Sequence, residues 1–431
     1  MALAVKPVSV VVSIKVETKG TTMKPAFHYE ILVSPLHDAD QLAKSTSALV
    51  SRLQQLDGVG APPDHSSEIP YLMVVGTGGT EIQIIERWRL RQTVCAGEPA
   101  LLVAHREDNS LPAALEALAR IHQEGASGHI VMANRAGDLA RSVADQVAYL
   151  DLQQIRIGVV GEPSDWLVAS TVSADAIRHR WGPTLVDLET ATLVDAGSGQ
   201  PSEQSVILGQ RWAGSDEGGS LATLEVEHAA QIHEPLADLI SEHDLDAVTV
   251  RCFDLLGTAQ TSGCLALAEL NSAGIVAGCE GDLASAVAML WVRELLGSAS
   301  WMANPADVNS ETGEVVLAHC TVAPSLVAEF ELSTHFESGL GVGIAGRFRR
   351  QPVTLVRLGG RNLERSWIVD GELVASGNSA HLCRTQATIV IPPEDAATVL
   401  ERPLGNHIVM VPGHHAGRLR DWWRQYVSDP D

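Results

Sequence analysis

Residues 274–296 constrain the fold of this 431-residue chain more than any other stretch. An apolar run from Gly274 to Gly278 ends in Cys279-Glu280-Gly281-Asp282, and an apolar helix-like pattern follows from Leu283 to Leu296. Strand, tight turn and helix in that order make the repeating unit of a parallel α/β sheet. The turn also carries two carboxylates. Crowding two acids costs electrostatic free energy unless something positive faces them. The helix N-terminus supplies part of that compensation, and a divalent cation could supply the rest.

The same unit recurs along the chain. Tyr71–Val75 runs into the glycine-rich turn Gly76-Thr-Gly-Gly-Thr80, which lacks the G-x-G-x-x-G spacing of a dinucleotide site. Strands are expected at Val8–Val16, Ala100–Ala104, His129–Ala133, Ile155–Val160, Ala247–Phe253 and Ile275–Gly278. Helices are expected at Leu111–Glu124, from about residue 134 to Leu150, and at Pro235–His243. After about Pro324 the texture changes to short strands between polar turns: Glu329–Glu337, Val342–Phe348, Val353–Leu358, Ser366–Glu372 and Gln386–Ile391, closed by a helix at Gly417–Tyr426. The expected architecture is two doubly wound α/β domains, 1–153 and 154–324, followed by a C-terminal antiparallel β-barrel-like domain, 325–431.

The formal charge is −23, from 53 acidic against 30 basic side chains. Such a surface is well solvated and argues against nucleic acid or anionic membrane as a partner. The six cysteines are scattered with no C-x-x-C, as suits reduced thiols. Residues 1–8 lack a basic stretch followed by a long apolar core, and no run approaches a membrane span, so a cytoplasmic location is expected.

Asp254, Glu280 and Asp282 all follow predicted strands. Strand ends of an open α/β sheet share one crevice, so these acids are candidates for a single site. Asp282 also suits a helix N-cap. His319 ends the apolar run Val315–Ala318, and His407 opens the run to Val411. Either histidine could equally be a satisfied core residue. His414 and His415 precede the last helix, at a spacing that matches no zinc motif. An oxygen-rich site with one or two imidazoles suits Mn²⁺, with Co²⁺, Fe²⁺ or Mg²⁺ as substitutes.

Four segments carry a resemblance to the L-fucose/L-arabinose isomerase superfamily, in its fucose-isomerase-like branch. They are Gly161-Glu-Pro-Ser-Asp-Trp-Leu-Val-Ala-Ser170, Cys279–Leu290, Asn304-Pro with Val316–Cys320, and Gly405-Asn-His407 with Gly413–Gly417. The resemblance spans much of residues 155–431. It implies two α/β domains and a β-domain, a trimer or hexamer with active sites at subunit contacts, and Mn²⁺-dependent interconversion of aldoses and ketoses through an enediol. In the fucose-type arrangement the implied ligands are Asp254, Asp282 and His407. In the arabinose-type arrangement they include Glu280, His319 and His407. Arabinose isomerases also carry an acid in a Phe-Met-Glu-Asp segment, where this chain has Ser300-Trp-Met-Ala-Asn-Pro305. The fucose-type set is therefore favoured, with Asp254 and Asp282 as the catalytic pair.

Sugar hydroxyls call for stacking or bidentate partners. Trp166, His335, Arg384 and His414 are the substrate-binding candidates. Arg347, Arg349 and Arg350 form a small basic cluster that could hold an anionic substituent, although a solvated turn is the commoner structure for such a run. Two other readings share this fold: a metal-free sugar-binding or regulatory protein, and an epimerase or isomerase of a modified sugar.

Overall fold

A computed structural model describes residues 26–35, 39–216, 218 and 221–427. The strand expected at Val8–Val16 lies outside them. The first sheet is parallel, in the order Gly58–Gly60, Phe27–Leu32, Tyr71–Val75, Ala100–Ala104, Gly128–Met132. Its central strands Tyr71–Val75 and Ala100–Ala104 are buried at every position, as strands covered by helices on both faces must be.

The second sheet is also parallel, in the order Thr184–Leu188, Arg156–Val160, Ala247–Val250, Val276–Cys279. Val250 pairs with Cys279, so the residues that follow, Arg251 and Glu280, leave the sheet side by side. The helix Leu283–Leu296 then begins as the sequence predicts, and it is buried without interruption from Leu283 to Val292. An all-round apolar helix needs cover on every side. It lies between the second sheet, the helix Ala136–Gln154 and the barrel strands Gln351–Gly359 and Ile408–Pro412.

The barrel is closed and antiparallel, in the order Trp301–Asn309, Glu314–His319, Thr385–Val390, Arg365–Ser376, Gln351–Gly359, Ile408–Pro412. Its first two strands thus lie upstream of residue 325. A separate hairpin, Glu329–Ser333 with Gly343–Arg347, stands beside it. One further helix, Pro393–Glu401, starts with proline in its first turn followed by Glu394 and Asp395, which suits a helix N-terminus. The last helix, Ala416–Tyr426, returns to the first domain. There Trp422 Nε1 donates to the Asp145 carbonyl at 3.0 Å and Arg418 pairs with the Asp145 carboxylate at 2.9 Å. Trp181, Trp291, Trp422 and Trp423 gather into one aromatic cluster around this seam. Among the described residues no helix is long and apolar enough to cross a membrane.

Candidate metal centre

Glu280 sits in left-handed backbone at φ +64°, an uncommon state for a residue with a side chain. Gly281 follows at φ +70°, and a Cβ there would lie 2.7 Å from Pro163 Cα. The turn is thus wedged against the Gly161–Ser170 loop, whose Ser164 N–H donates to the Glu280 carbonyl at 2.8 Å. Two consecutive left-handed residues turn the Glu280 carboxylate out of the sheet toward the barrel, where His319 ends its strand and His407 immediately precedes the strand Ile408–Pro412.

Glu280, His319 and His407 are all buried, and one ligand atom from each lies within 4.8 Å of the others. His407 Nε2 is 3.4 Å from Glu280 Oε1 and has no hydrogen-bond partner, although it is fully buried. The two imidazoles meet edge to face at 5.6 Å. Trp166 Nε1 donates to the second Glu280 oxygen at 2.6 Å and fixes the carboxylate plane. A carboxylate and two imidazoles converging on one point, with an orphaned buried nitrogen aimed at it, form a donor set that fits a divalent ion such as Mn²⁺.

Asp282 stands behind this group. It caps the helix, accepting from Ser285 N at 2.9 Å and from Ser285 Oγ at 2.8 Å. It also lies 2.8 Å from His407 Nδ1 and 3.4 Å from Arg357 Nη1. Ionised Asp282 can only accept, so His407 donates from Nδ1 and leaves Nε2 facing Glu280. Arg357 is itself buried and held by Ser285 Oγ at 2.9 Å and Ser170 Oγ at 2.5 Å.

These contacts set the charges. Burial disfavours charge on His407, but the hydrogen bond to Asp282 and the Glu280 charge beside Nε2 outweigh it and raise its pKa to about 9. Burial pushes the Asp282 carboxyl up, while Arg357 and His407 pull it well below the usual range. Glu280 is likewise lowered, its burial outweighed by His407, His319 and Trp166. Burial and the neighbouring His407 lower His319 to about 3, so this ring is neutral. Thr321 N–H donates to His319 Nδ1 at 3.2 Å, which places the proton of the neutral ring on Nε2. Ligation by His319 would cost that contact or a change of tautomer.

The sequence-based candidates are distributed as follows. The structure does not bring Asp254 and Asp282 together as an acid pair. Asp254 lies in the first turn of a short helix, Phe253–Thr258, and its 41%-exposed side chain pairs with Arg251 at 3.2 Å. Asp282 is fully buried, with its oxygens engaged by Ser285 and His407. Trp166 and His335 flank the centre: Trp166, Phe253 and His335 form a row of rings with edge-to-face contacts of 4.9 and 5.5 Å. Arg384 is half-buried beside His335, held by Thr334. His414 lies at the far end of the strand Ile408–Pro412 from His407, paired with Glu372 at 3.1 Å. Arg347 is tied to Glu329 and Glu331, both at 3.6 Å, and Arg349 and Arg350 are exposed.

Sequence reasoning missed Arg357, Phe253 and Glu337. Arg357 carried a signal: a lone charge inside the apolar run Val353–Leu358 implies a buried partner. Glu337 is the other carboxylate under the influence of Glu280. It is exposed, yet what desolvation it undergoes and the Glu280 charge together raise its pKa.

No family model matches the chain. Among curated proteins it is similar to the sulfoquinovose isomerase of Priestia megaterium (strain ATCC 12872 / QMB1551), 26% identical over 180 residues, covering 39% of this chain and 38% of the relative. It is similar to the sulfoquinovose isomerase of Alkalicoccus urumqiensis, 25% identical over 238 residues and 52% of either chain. To that of Clostridium sp. (strain MSTE9) it is 22% identical over 264 residues, covering 59% of this chain and 58% of the relative. The matched stretch thus spans well under two thirds of each relative, and within that stretch the chain is similar to sugar isomerases.

Proposed function

We propose that the chain is a divalent-metal-dependent aldose–ketose isomerase, and that its substrate is a sulfonated aldose of the kind named in its relatives. The observation that carries the proposal is the convergence of Glu280, His319 and the orphaned Nε2 of His407. The comparisons support the reaction class. Glu280, His319 and His407 would hold Mn²⁺, which when bound supplies Lewis-acid stabilisation of an enediolate formed from the open-chain sugar.

The chain's own residues supply the rest. Asp282 fixes the His407 tautomer, and Trp166 fixes the plane of Glu280. The row Trp166–Phe253–His335 offers apolar ring surface to the sugar carbons beside the centre. Isomerisation moves a proton from C2 to C1. Glu280 has a lowered pKa and Glu337, which feels the Glu280 charge, a raised one. Glu280 thus suits the ionised state that a metal ligand needs.

The test is aldose-to-ketose conversion followed by NMR in D₂O. Carbonyl migration with solvent deuterium at C1 or C2 is expected, lost on chelation and restored by Mn²⁺. Glu280→Gln should lower kcat by about 10²–10⁴-fold. Undiminished turnover after chelation would refute metal dependence, and epimerisation without carbonyl migration would refute the reaction class.

A further inference from the structure

Within that isomerase reading, on which it rests, we infer that Arg384 is the residue that recognises the anionic sulfonate of the substrate. Its place follows from strand register. His319 pairs with Thr385 across the barrel, so Arg384 stands one residue from the position opposite a proposed metal ligand. At the neighbouring hairpin, Arg384 and His335 both pack close to Gly343. A Cβ at Gly343 would lie 3.2 Å from Arg384 Cγ and 3.4 Å from His335 Cα. One short segment, Thr334–Phe336, therefore holds the arginine and also presents His335, the last ring of the aromatic row, beside the metal centre.

The guanidinium is set in one orientation. Nε donates to the Thr334 carbonyl at 2.8 Å, Nη2 donates to Thr334 Oγ1 at 3.2 Å, and the group lies over the Phe336 ring at 5.7 Å. These contacts use two of its five N–H donors. Both acceptors are neutral. Among the described residues no carboxylate pairs with Arg384. Two other arginines of the site's loops and strands are neutralised: Arg251 by Asp165 and Asp254, each at 3.2 Å, and Arg357 by Asp282 at 3.4 Å. Arg384 is thus a fixed, half-buried arginine with no carboxylate partner among the described residues. A planar fork with free donors matches two oxygens of a sulfonate. A sugar lying along Trp166, Phe253 and His335 with its carbonyl end at Glu280 would carry its other end toward Arg384.

The test compares sulfoquinovose with quinovose, the same sugar without the sulfonate, in the Mn²⁺-loaded wild type, Arg384→Met and Arg384→Lys. Both kcat/KM and binding by calorimetry are read. The ratio of kcat/KM values, sulfonated over neutral, should fall by roughly 10- to 100-fold in Arg384→Met. Arg384→Lys, which keeps the charge but not the fork, should recover part of it. If the wild type prefers the sulfonated sugar and Arg384→Met keeps that ratio within about twofold, Arg384 is not the anchor, and the isomerase reading stands. A wild type that turns over both sugars equally also overturns the inference. If neither sugar is isomerised, the isomerase reading fails. Calorimetry then decides alone: an Arg384→Met variant that binds the sulfonated sugar as tightly as wild type does would overturn the assignment.

Discussion

Asp282 acts through another residue. Its carboxylate takes two donors from Ser285, faces Arg357, and aims the Nδ1–H of His407 so that Nε2 points at Glu280. Asp282→Asn keeps an N-cap but weakens the grip on the imidazole, so Mn²⁺ affinity should fall about 10–100-fold in a metal titration. The two histidines should respond unequally. His407 is held by Asp282 with Nε2 already aimed at Glu280 and needs only to release its Nε2 proton, whereas His319 must give up its Thr321 contact or change tautomer. His407→Gln should therefore weaken metal binding more than His319→Gln does, and equal losses would contradict that ranking. The metal-free protein should also show His407 in its pH dependence. Its folded-state pKa is raised to about 9. The stabilisation it brings is full below the ordinary value near 6.5 and is lost as pH rises through about 9. Thermal melting of the chelated protein should decline across that window, and the decline should be absent in His407→Gln.

At the scale of elements, the turn from Val276–Cys279 into Leu283–Leu296 sets the site. Gly281→Ala would place a methyl 2.7 Å from Pro163 Cα in left-handed backbone, and should cost about 1–3 kcal/mol in denaturant unfolding. The helix bounds Leu283–Leu296 were legible because an apolar period followed a capping residue. The strand ends were legible because buried parallel strands read as continuous apolar runs. The role of Asp254 was not. Ala247–Phe253 looks like a seven-residue strand, yet the strand stops at Val250 and Phe253 opens a helix, which swings Asp254 aside to Arg251. Periodicity cannot separate a short apolar strand from the first turn of a helix. The division of labour between Glu280 and Asp282 was equally hidden, because it depends on Arg357 and on the left-handed turn at Glu280, neither of which the local pattern displays.

Across the whole molecule, three bodies of structure meet at Leu283–Leu296, and the tryptophan cluster locks the last helix onto that seam. Trp422 is buried and bonded to the Asp145 carbonyl. Trp422→Ala should destabilise the protein by about 3–5 kcal/mol. The loss should appear as a lower unfolding midpoint in denaturant, with Mn²⁺ bound or removed. Anomalous scattering from a crystal grown with Mn²⁺ would locate the ion itself. One strong peak is expected between Glu280, His319 and His407 Nε2. An active crystal with its Mn²⁺ seated elsewhere, at Asp254 for instance, and no density among those three residues would contradict it.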